Sequence, residues 1–494
     1  MRRLDLATLA GLGPAIVTPR YDARRVAIGI VHLGIGAFHR AHQAEYIDDV
    51  LALEAGGWGV CGVSLRSADV RERLSPQEGL YTSIEKSPAG TRRRVIGSVR
   101  EILFLGEERS KVHARLADVR TRIVSLTITE KGYCHDPATG RLNFADPDIA
   151  HDFAHPGEPR TALGLISSAL DARRASHGES FTVLCCDNLP HNGGIVRGLV
   201  LAFAGARDPT LASWIAEHAS FPSTMVDRIV PATTEADISD NDAALGVHDA
   251  APVVHEPFKQ WVIEDRFVAG RPAWERVGAE LVADVAPFEA MKLRLLNGCH
   301  SMLAYLGFLA GYEYIYQVAA RPEYVALIRR LMAEEITPTL RVPANIDVVA
   351  YRSALVERFK NPALPHRTQQ IAMDGSQKLP QRLLGTVRDN LAAGRSIDLA
   401  ALAVAGWMRY VSGSDEAGRA IAVSDPLAGE FARIAAAHSG DPAGLARGLL
   451  RLRAVFGEDL PADARFVAKV TAWLTGLYAE GAARTVARAV GAVG

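Results

Sequence analysis

VAIGIVHLGIGAFHRAHQAEYIDDVL, residues 26 to 51, decides how the first half of the chain folds. Its first eight residues are apolar almost throughout, the pattern of a strand covered on both faces of a mainly parallel sheet. That strand runs directly into Gly34-Ile35-Gly36-Ala37-Phe38-His39, after which RAHQAEYIDDVL repeats apolar residues at helical spacing. Strand, glycine turn and helix, in that order, are what a dinucleotide site requires. The first glycine permits the tight turn, the second lets backbone N–H groups around Ala37 and Phe38 approach a pyrophosphate, and the helix start adds a favourable dipole. A bare GxG also serves as a tight turn between packed elements, and here its place after the first strand favours the nucleotide. His39 departs from the fingerprint, which has Gly or Ala at that point.

Outward from this turn, RRVIGSV (93 to 99), TRIVSLTIT (121 to 129) and SFTVLCC (180 to 186) read as further strands of the same sheet, separated by helical patterns. Beyond about residue 285 the texture changes to Ala/Leu/Arg stretches such as EYVALIRRLMAEEI, without internal repeat or low-complexity linker. At 494 residues the chain is too long for one ordinary core. The expected fold is therefore α/β plus α: a Rossmann-type NAD-binding domain over 1–285, followed by a mostly helical substrate and catalytic domain over 286–494.

Hydrophobic residues at 48% and charged residues at 22% are ordinary, and a net charge of -1 excludes a nucleic-acid binder built on a basic surface. No stretch approaches 18 uninterrupted apolar residues, and the start MRRLDLATLAGLGPAIVTPR has no apolar core of signal-peptide length. The five cysteines are odd in number and none is spaced as CxxC, which suggests neither a disulfide framework nor a structural zinc site. A cytoplasmic enzyme with a small-molecule ligand is the expectation, with no membrane and no nucleic-acid partner.

GVCGVSL (59 to 65) reads as the second strand, ending before Arg66-Ser67-Ala68-Asp69. Asp69 can bond the adenosine ribose hydroxyls and favours NAD, and it reads equally well as a solvated loop acid. Arg66 is close enough to grip a 2′-phosphate, which leaves NADP open. Ligands of open parallel sheets sit beyond the carboxyl ends of the strands. Two such ends carry polar residues, Glu130-Lys131-Gly132-Tyr133 and Asp187-Asn188-Leu189-Pro190-His191-Asn192. Both are also ordinary turn chemistry. Asn188 can donate to the oxygen charge that develops when a carbonyl accepts hydride, and Glu130 can relay protons to solvent. In FPSTMVDRIVP (221 to 231), Asp227 and Arg228 lie in an apolar run, where a structural ion pair is the first reading.

APFEAMKLRLLNGCHSMLAYLGFLAG (286 to 311) is predicted as one apolar helix beginning near Pro287. At about 100° per residue, His300 lies roughly 80° and Asn297 roughly 140° around the axis from Lys292. Three polar side chains on one side of a buried helix need partners or a ligand. Singly, a snorkelling lysine or a satisfied core histidine explains each; jointly, they point to chemistry. Burial disfavours an ammonium ion, so Lys292 is the candidate acid/base, with Asn297 holding the alkoxide and His300 a substrate hydroxyl.

Seven motifs carry a resemblance through nearly the whole chain: GIGAFHRAHQ, TITEKGY, CDNLPHNGG, FPSTMVDRIVP, EPFKQWVIED, MKLRLLNGCHS and MDGSQKLPQR. They resemble the long-chain mannitol dehydrogenase family, which includes mannitol 2-dehydrogenases and fructuronate reductases (D-mannonate oxidoreductases). The resemblance implies a Rossmann-type domain, a helical carboxyl-terminal domain and no metal. It places catalytic roles on Lys292, Asn188, Asn297 and His300, a proton relay on Glu130, and substrate contacts on Asp227 and Lys378. Mannitol-type members have arginine where Gln370 stands, whereas HRTQQIAMDGSQKLPQR looks more like fructuronate reductases. D-mannonate and D-fructuronate are therefore the preferred pair, with Lys378 or Arg367 to meet a carboxylate, and D-mannitol with D-fructose is the alternative. Two other classes stay open: a zinc-dependent polyol dehydrogenase around Cys134-His135, and a non-catalytic NADH-binding redox sensor.

Overall fold

The computed structural model describes residues 1–491 except 55, 137 and 138. The chain divides into two compact units, Met1–Ala286 and Pro287–Gly494, each packed around its own apolar clusters.

In the first unit, five strands form a wholly parallel sheet: β1 (Ile28–Leu33), β2 (Gly59–Ser64), β3 (Val99–Phe104), β4 (Ile123–Leu126) and β5 (Thr182–Cys185). Their spatial order is β3-β2-β1-β4-β5. β1, β2, β4 and β5 are buried on both faces almost throughout, which is why they read as apolar runs, while the edge strand β3 carries half-buried Arg100 and Glu101. The order is that of a Rossmann sheet, with the topological switch between β1 and β4, where such folds bind ligands. The carboxyl ends come out side by side, Leu33 opposite Leu126 and Leu126 opposite Cys185. The loops after β1, β4 and β5 are therefore neighbours.

The run at 93–99 behaves differently from its sequence reading as a parallel strand. Gly90–Ile96 pairs antiparallel with Tyr81–Ser87 in a separate four-stranded sheet, and the parallel strand begins only at Val99. Arg92, Arg93 and Arg94 explain this, because a strand covered on both faces cannot house three guanidiniums. In the hairpin Arg93 reaches Asp240 at 3.3 Å and Arg94 reaches Asp48 and Asp49, each at 2.5 Å.

Among the described residues of the second unit, every regular element is helical. Asp398–Val411 is buried along its whole length after the first residue and packs against Cys299–Leu309 and the long Ala464–Ala489 helix. Each fully buried Leu, Val or Met contributes roughly 1.5–3 kcal/mol from removal of apolar surface. The segment expected as a single α-helix over 286–311 is three pieces: α over Ala286–Met291, π over Lys292–Gly298, and α again over Cys299–Leu309. Apolar spacing registers a helix but not its hydrogen-bond pitch, so the π segment had no sequence signal.

Candidate active site

The glycine turn is a backbone device. Gly34 sits at φ +93°, and a Cβ there would lie 2.2 Å from the Thr127 carbonyl oxygen, so no other residue fits. Its N–H donates to Val63 O at 2.8 Å, while Thr127 Oγ1 donates to its carbonyl at 2.9 Å, tying the ends of β1, β2 and β4 together. Gly36 is exposed, and a Cβ on it would meet only Gly34 O, at 3.8 Å. Backbone at Gly36 and the following Ala37 and Phe38 can thus be approached closely, which is the fit a pyrophosphate needs.

His39, the departure from the fingerprint, is fully buried and stacks on His32 of β1 with ring centroids 3.5 Å apart. The helix that usually packs on its strand through a glycine packs here through two parallel rings. Burial holds His39 well below the ordinary imidazole range, so the stack is neutral. The following helix is broken at His42 into Ala37–Ala41 and Gln43–Leu53.

Arg66 and Asp69 both stand exposed beyond β2, and Asp69 opens the helix Asp69–Leu74. A carboxylate in a first helical turn is favoured by the helix dipole as well as being available to a ribose.

The loops after β4 and β5 are laced by Asp187, a residue that sequence reasoning passed over in favour of its neighbour Asn188. Its carboxylate accepts from Ile128 N at 2.9 Å, Thr129 N at 3.1 Å and Tyr133 Oη at 2.6 Å, and burial raises its pKa. Asn192 continues the lacing, donating to Asp187 O at 3.0 Å and Thr224 O at 2.9 Å. Thr129, held by Asp187, takes φ +64°, a costly conformation for a β-branched residue, directly before Glu130. Glu130 and Asn188 are themselves exposed. An Asp-Asn pair straight after an apolar strand was the available signal, and one of its two residues is the scaffold.

Asp227 is buried at the end of the strand Thr224–Asp227, with its backbone opposite Gln260. Arg228 forms a buried ion pair, with Glu45 at 2.5 Å, and donates further to Ala41 O and Glu256 O. Glu45 lies on the helix Gln43–Leu53, so this pair ties that helix to the end of the strand.

In the second unit, Lys292 is buried, Asn297 half-buried and His300 buried. The π pitch changes their relation. Hydrogen bonds in a π-helix run between residues five apart, so Asn297 stands one turn above Lys292 rather than roughly 140° away. His300, three residues on and within the α segment, is Asn297's neighbour on the helix surface. The ladder is Lys292, Asn297, His300 on successive turns. His300 Nε2 is buried and finds no hydrogen-bond partner among the described residues. Burial first, then the neighbouring His366, Arg382, Arg358 and Lys378, hold this imidazole well below its ordinary range. It is a neutral hydrogen-bonding group.

Lys378 lies half-buried on Gly375–Leu379 and donates to Met373 O at 2.6 Å. Gln370 is exposed on the short helix Thr368–Ala372. Arg367 is exposed and pairs with Glu313 at 3.3 Å. A Cβ on Gly298 would come 2.7 Å from Arg382 O, so the π segment bearing Lys292 packs directly on a second π segment, Pro380–Leu384.

For the zinc alternative, the Cys134 thiol is pushed up to about 12, mainly by burial, the reverse of what a thiolate ligand needs. The described residues contain no group of three His, Cys, Asp or Glu side chains placed to hold a metal ion. None of their helices is long and apolar enough to cross a membrane.

Comparison with known proteins decides the lineage. The mannitol dehydrogenase Rossmann domain matches residues 28–276, and the mannitol dehydrogenase C-terminal domain matches residues 284–478. The chain belongs to the mannitol dehydrogenase family. It is 48% identical to the D-mannonate oxidoreductase of Escherichia coli (strain K12) over 486 residues, 98% of this chain and 100% of that protein. It is 39% identical to the mannitol 2-dehydrogenase of Pyricularia oryzae over 500 residues, covering 99% of each chain. The Pseudomonas fluorescens mannitol 2-dehydrogenase, solved as a ternary complex with NAD and D-mannitol, superposes with a TM-score of 0.88 at 41% identity, over 99% of both chains.

Proposed function

We propose that this protein is an NAD-dependent dehydrogenase of acyclic polyols and aldonates, with D-mannonate and D-fructuronate as its preferred pair. The observation that carries the chemistry is the ladder of Lys292, Asn297 and His300 on successive turns, ending in a buried imidazole nitrogen that has no hydrogen-bond partner among the described residues. A buried polar atom left unsatisfied in a native fold calls for a ligand group.

In this reading residues 1–285 hold the cofactor and 286–494 carry the acid/base. Backbone at Gly34, Gly36, Ala37 and Phe38 receives the pyrophosphate, and Asp69 bonds the ribose hydroxyls. Arg66 beside it keeps a 2′-phosphate, and so NADP, chemically feasible. Bound NAD supplies the hydride acceptor. The Lys292 amine takes the proton of the reacting hydroxyl as the C–H bond breaks. Asn297 and Asn188 donate amide hydrogens to the oxygen while it carries negative charge, and His300 bonds a substrate hydroxyl. Glu130, exposed beyond β4, passes the proton to solvent. Asp227, Lys378 and Gln370 contact the rest of the carbon chain. Five free, buried cysteines accord with a reducing, cytoplasmic setting.

The sugar acid is preferred over mannitol on two grounds. Identity to the mannonate enzyme runs through the full length at 48%, against 39% for the fungal mannitol enzyme, and HRTQQIAMDGSQKLPQR, with its Gln370, resembles fructuronate reductases more than mannitol-type members. The test is NADH oxidation with D-fructuronate and with D-fructose. Faster turnover of fructuronate is expected; turnover of fructose alone moves the assignment to mannitol, and NADH binding without turnover of either moves it to a redox sensor.

A further inference from the structure

One set of buried polar groups takes no part in the proposed reaction: His32 on β1, Ser125 on β4, and Thr127 just beyond it. The other residues of β1 near this point, Ile30, Val31 and Leu33, are apolar, as a strand covered on both faces requires. His32 is the exception, and it is fully buried. Its Nδ1 lies 2.8 Å from Ser125 Oγ, and its Nε2 lies 2.9 Å from Thr127 Oγ1 and 3.3 Å from Gly34 O.

The sense of these bonds follows from the last member. Thr127 Oγ1 donates its one hydrogen to Gly34 O at 2.9 Å, so towards His32 it can only accept. Nε2 is therefore the protonated nitrogen. Burial holds the ring neutral, pushed down to about 3, which leaves Nδ1 to accept from the Ser125 hydroxyl. The chain runs one way, from Ser125 through His32 and Thr127 to the Gly34 carbonyl. That carbonyl also accepts from Gly36 N at 2.6 Å, and it is the atom that a Cβ on Gly36 would meet. Its orientation fixes the backbone of the turn. Beyond the turn, the His39 ring returns to stack on His32, with centroids 3.5 Å apart and planes 17° apart. The stack joins the strand before the turn to the helix after it.

We propose that His32 is a positioning residue for the dinucleotide, acting through Thr127 on the Gly34 carbonyl so that backbone at Gly36, Ala37 and Phe38 is preset for the pyrophosphate. This rests on the cofactor assignment above and adds side chains that never touch the ligand. His39 braces the ring by stacking. Presetting the turn lowers the ordering cost of binding, so the effect belongs to cofactor affinity and not to hydride transfer.

The experiment measures NADH dissociation constants by fluorescence titration of the full-length protein and of His32→Phe, Thr127→Val, Thr127→Ser and the double variant His32→Phe with Thr127→Val. Phe keeps a ring to stack and removes both nitrogens, and Val keeps the shape of Thr and removes the hydroxyl. Each single loss is expected to weaken NADH roughly tenfold, while Thr127→Ser, which restores the chain, stays within about twofold of the unaltered protein. Because the bonds act as one chain, the double variant should be about as weak as the weaker single, not the roughly hundredfold of independent contributions. In steady state the loss should appear in KM for NADH, with kcat retained. Unchanged affinity in His32→Phe overturns the proposal even if the melting temperature falls, and so do additive losses in the double variant. If His32→Phe does not fold, the Thr127 pair decides, and equal affinities of the Val and Ser variants overturn it. NADH binding without turnover by the unaltered protein ends the dehydrogenase reading alone; failure to bind NADH ends both.

Discussion

The glycine turn after β1 and the lysine turn at residue 292 solve opposite problems. In the proposed function the ligand meets bare backbone at Gly34 and Gly36: a Cβ on Gly34 would strike Thr127 O, and the space over Gly36 is open. At Lys292 the proposed contacts are made by side chains, and what matters is the angle at which each leaves the helix. The first kind of site is written in residue type and order. The second depends on hydrogen-bond pitch, which no single residue announces.

That contrast can be broken most forcefully at the lysine. Lys292→Ala should lower kcat/KM for fructuronate and fructose alike by about 10² to 10⁴, the range for loss of a general acid/base, with NADH affinity retained. Steady-state rates beside NADH fluorescence titration check it, and normal turnover by a folded variant would remove the lysine from the mechanism.

The next largest effect separates the two glycines. Gly34→Ala forces a Cβ against backbone at a positive φ and should cost about 2 kcal/mol or more in thermal unfolding. Gly36→Ala meets nothing closer than 3.8 Å and should leave stability within about 0.5 kcal/mol, yet weaken NADH about tenfold. Equal stability losses would mean that the second glycine serves the fold and not a ligand.

Smaller still is the effect at Asp69. Asp69→Ala should raise KM for NAD about tenfold, one lost charged hydrogen bond, and leave NADP nearly untouched. A uniform loss on both cofactors would reassign Asp69 to its helix terminus.

The smallest expected effect concerns pH. His366 is held at about 4 in the folded chain against about 6.5 unfolded, so between those values the unfolded state binds more protons. Stability is therefore full above about pH 6.5 and declines as pH falls towards about 4. His32 and His42, each held at about 3 by burial, act in the same sense in the first unit. Melting temperature should drop between about pH 7 and pH 5, and His366→Gln should flatten that slope by the equivalent of about 1 kcal/mol. An unaltered slope would place His366 outside the acid response.

The strands around the glycine turn were legible because burial on both faces leaves an apolar run that few other elements imitate. The exception, Gly90–Ile96, shows the limit: Val95 and Ile96 look like core, and only the preceding arginines reveal a hairpin edge. Around the candidate site the sequence offered residue types but not the groups that hold them. Asp187 holds two loops through hydrogen bonds to residues 58 and 59 positions away, and nothing local marks that reach. Phe359 and His366 meet the His300 ring from distant segments, a convergence that spacing along one helix cannot foretell.

The π segment at Lys292–Gly298 has a consequence for how this chain tolerates insertion and deletion. Because its carbonyls pair five residues ahead, it carries more residues per turn than the α-helices on either side. Loss of one codon between 293 and 296 should be absorbed as a return to α pitch, leaving the flanking helices intact while Asn297 and His300 swing out of phase with Lys292. Length variation here would act as a switch for chemistry rather than for folding.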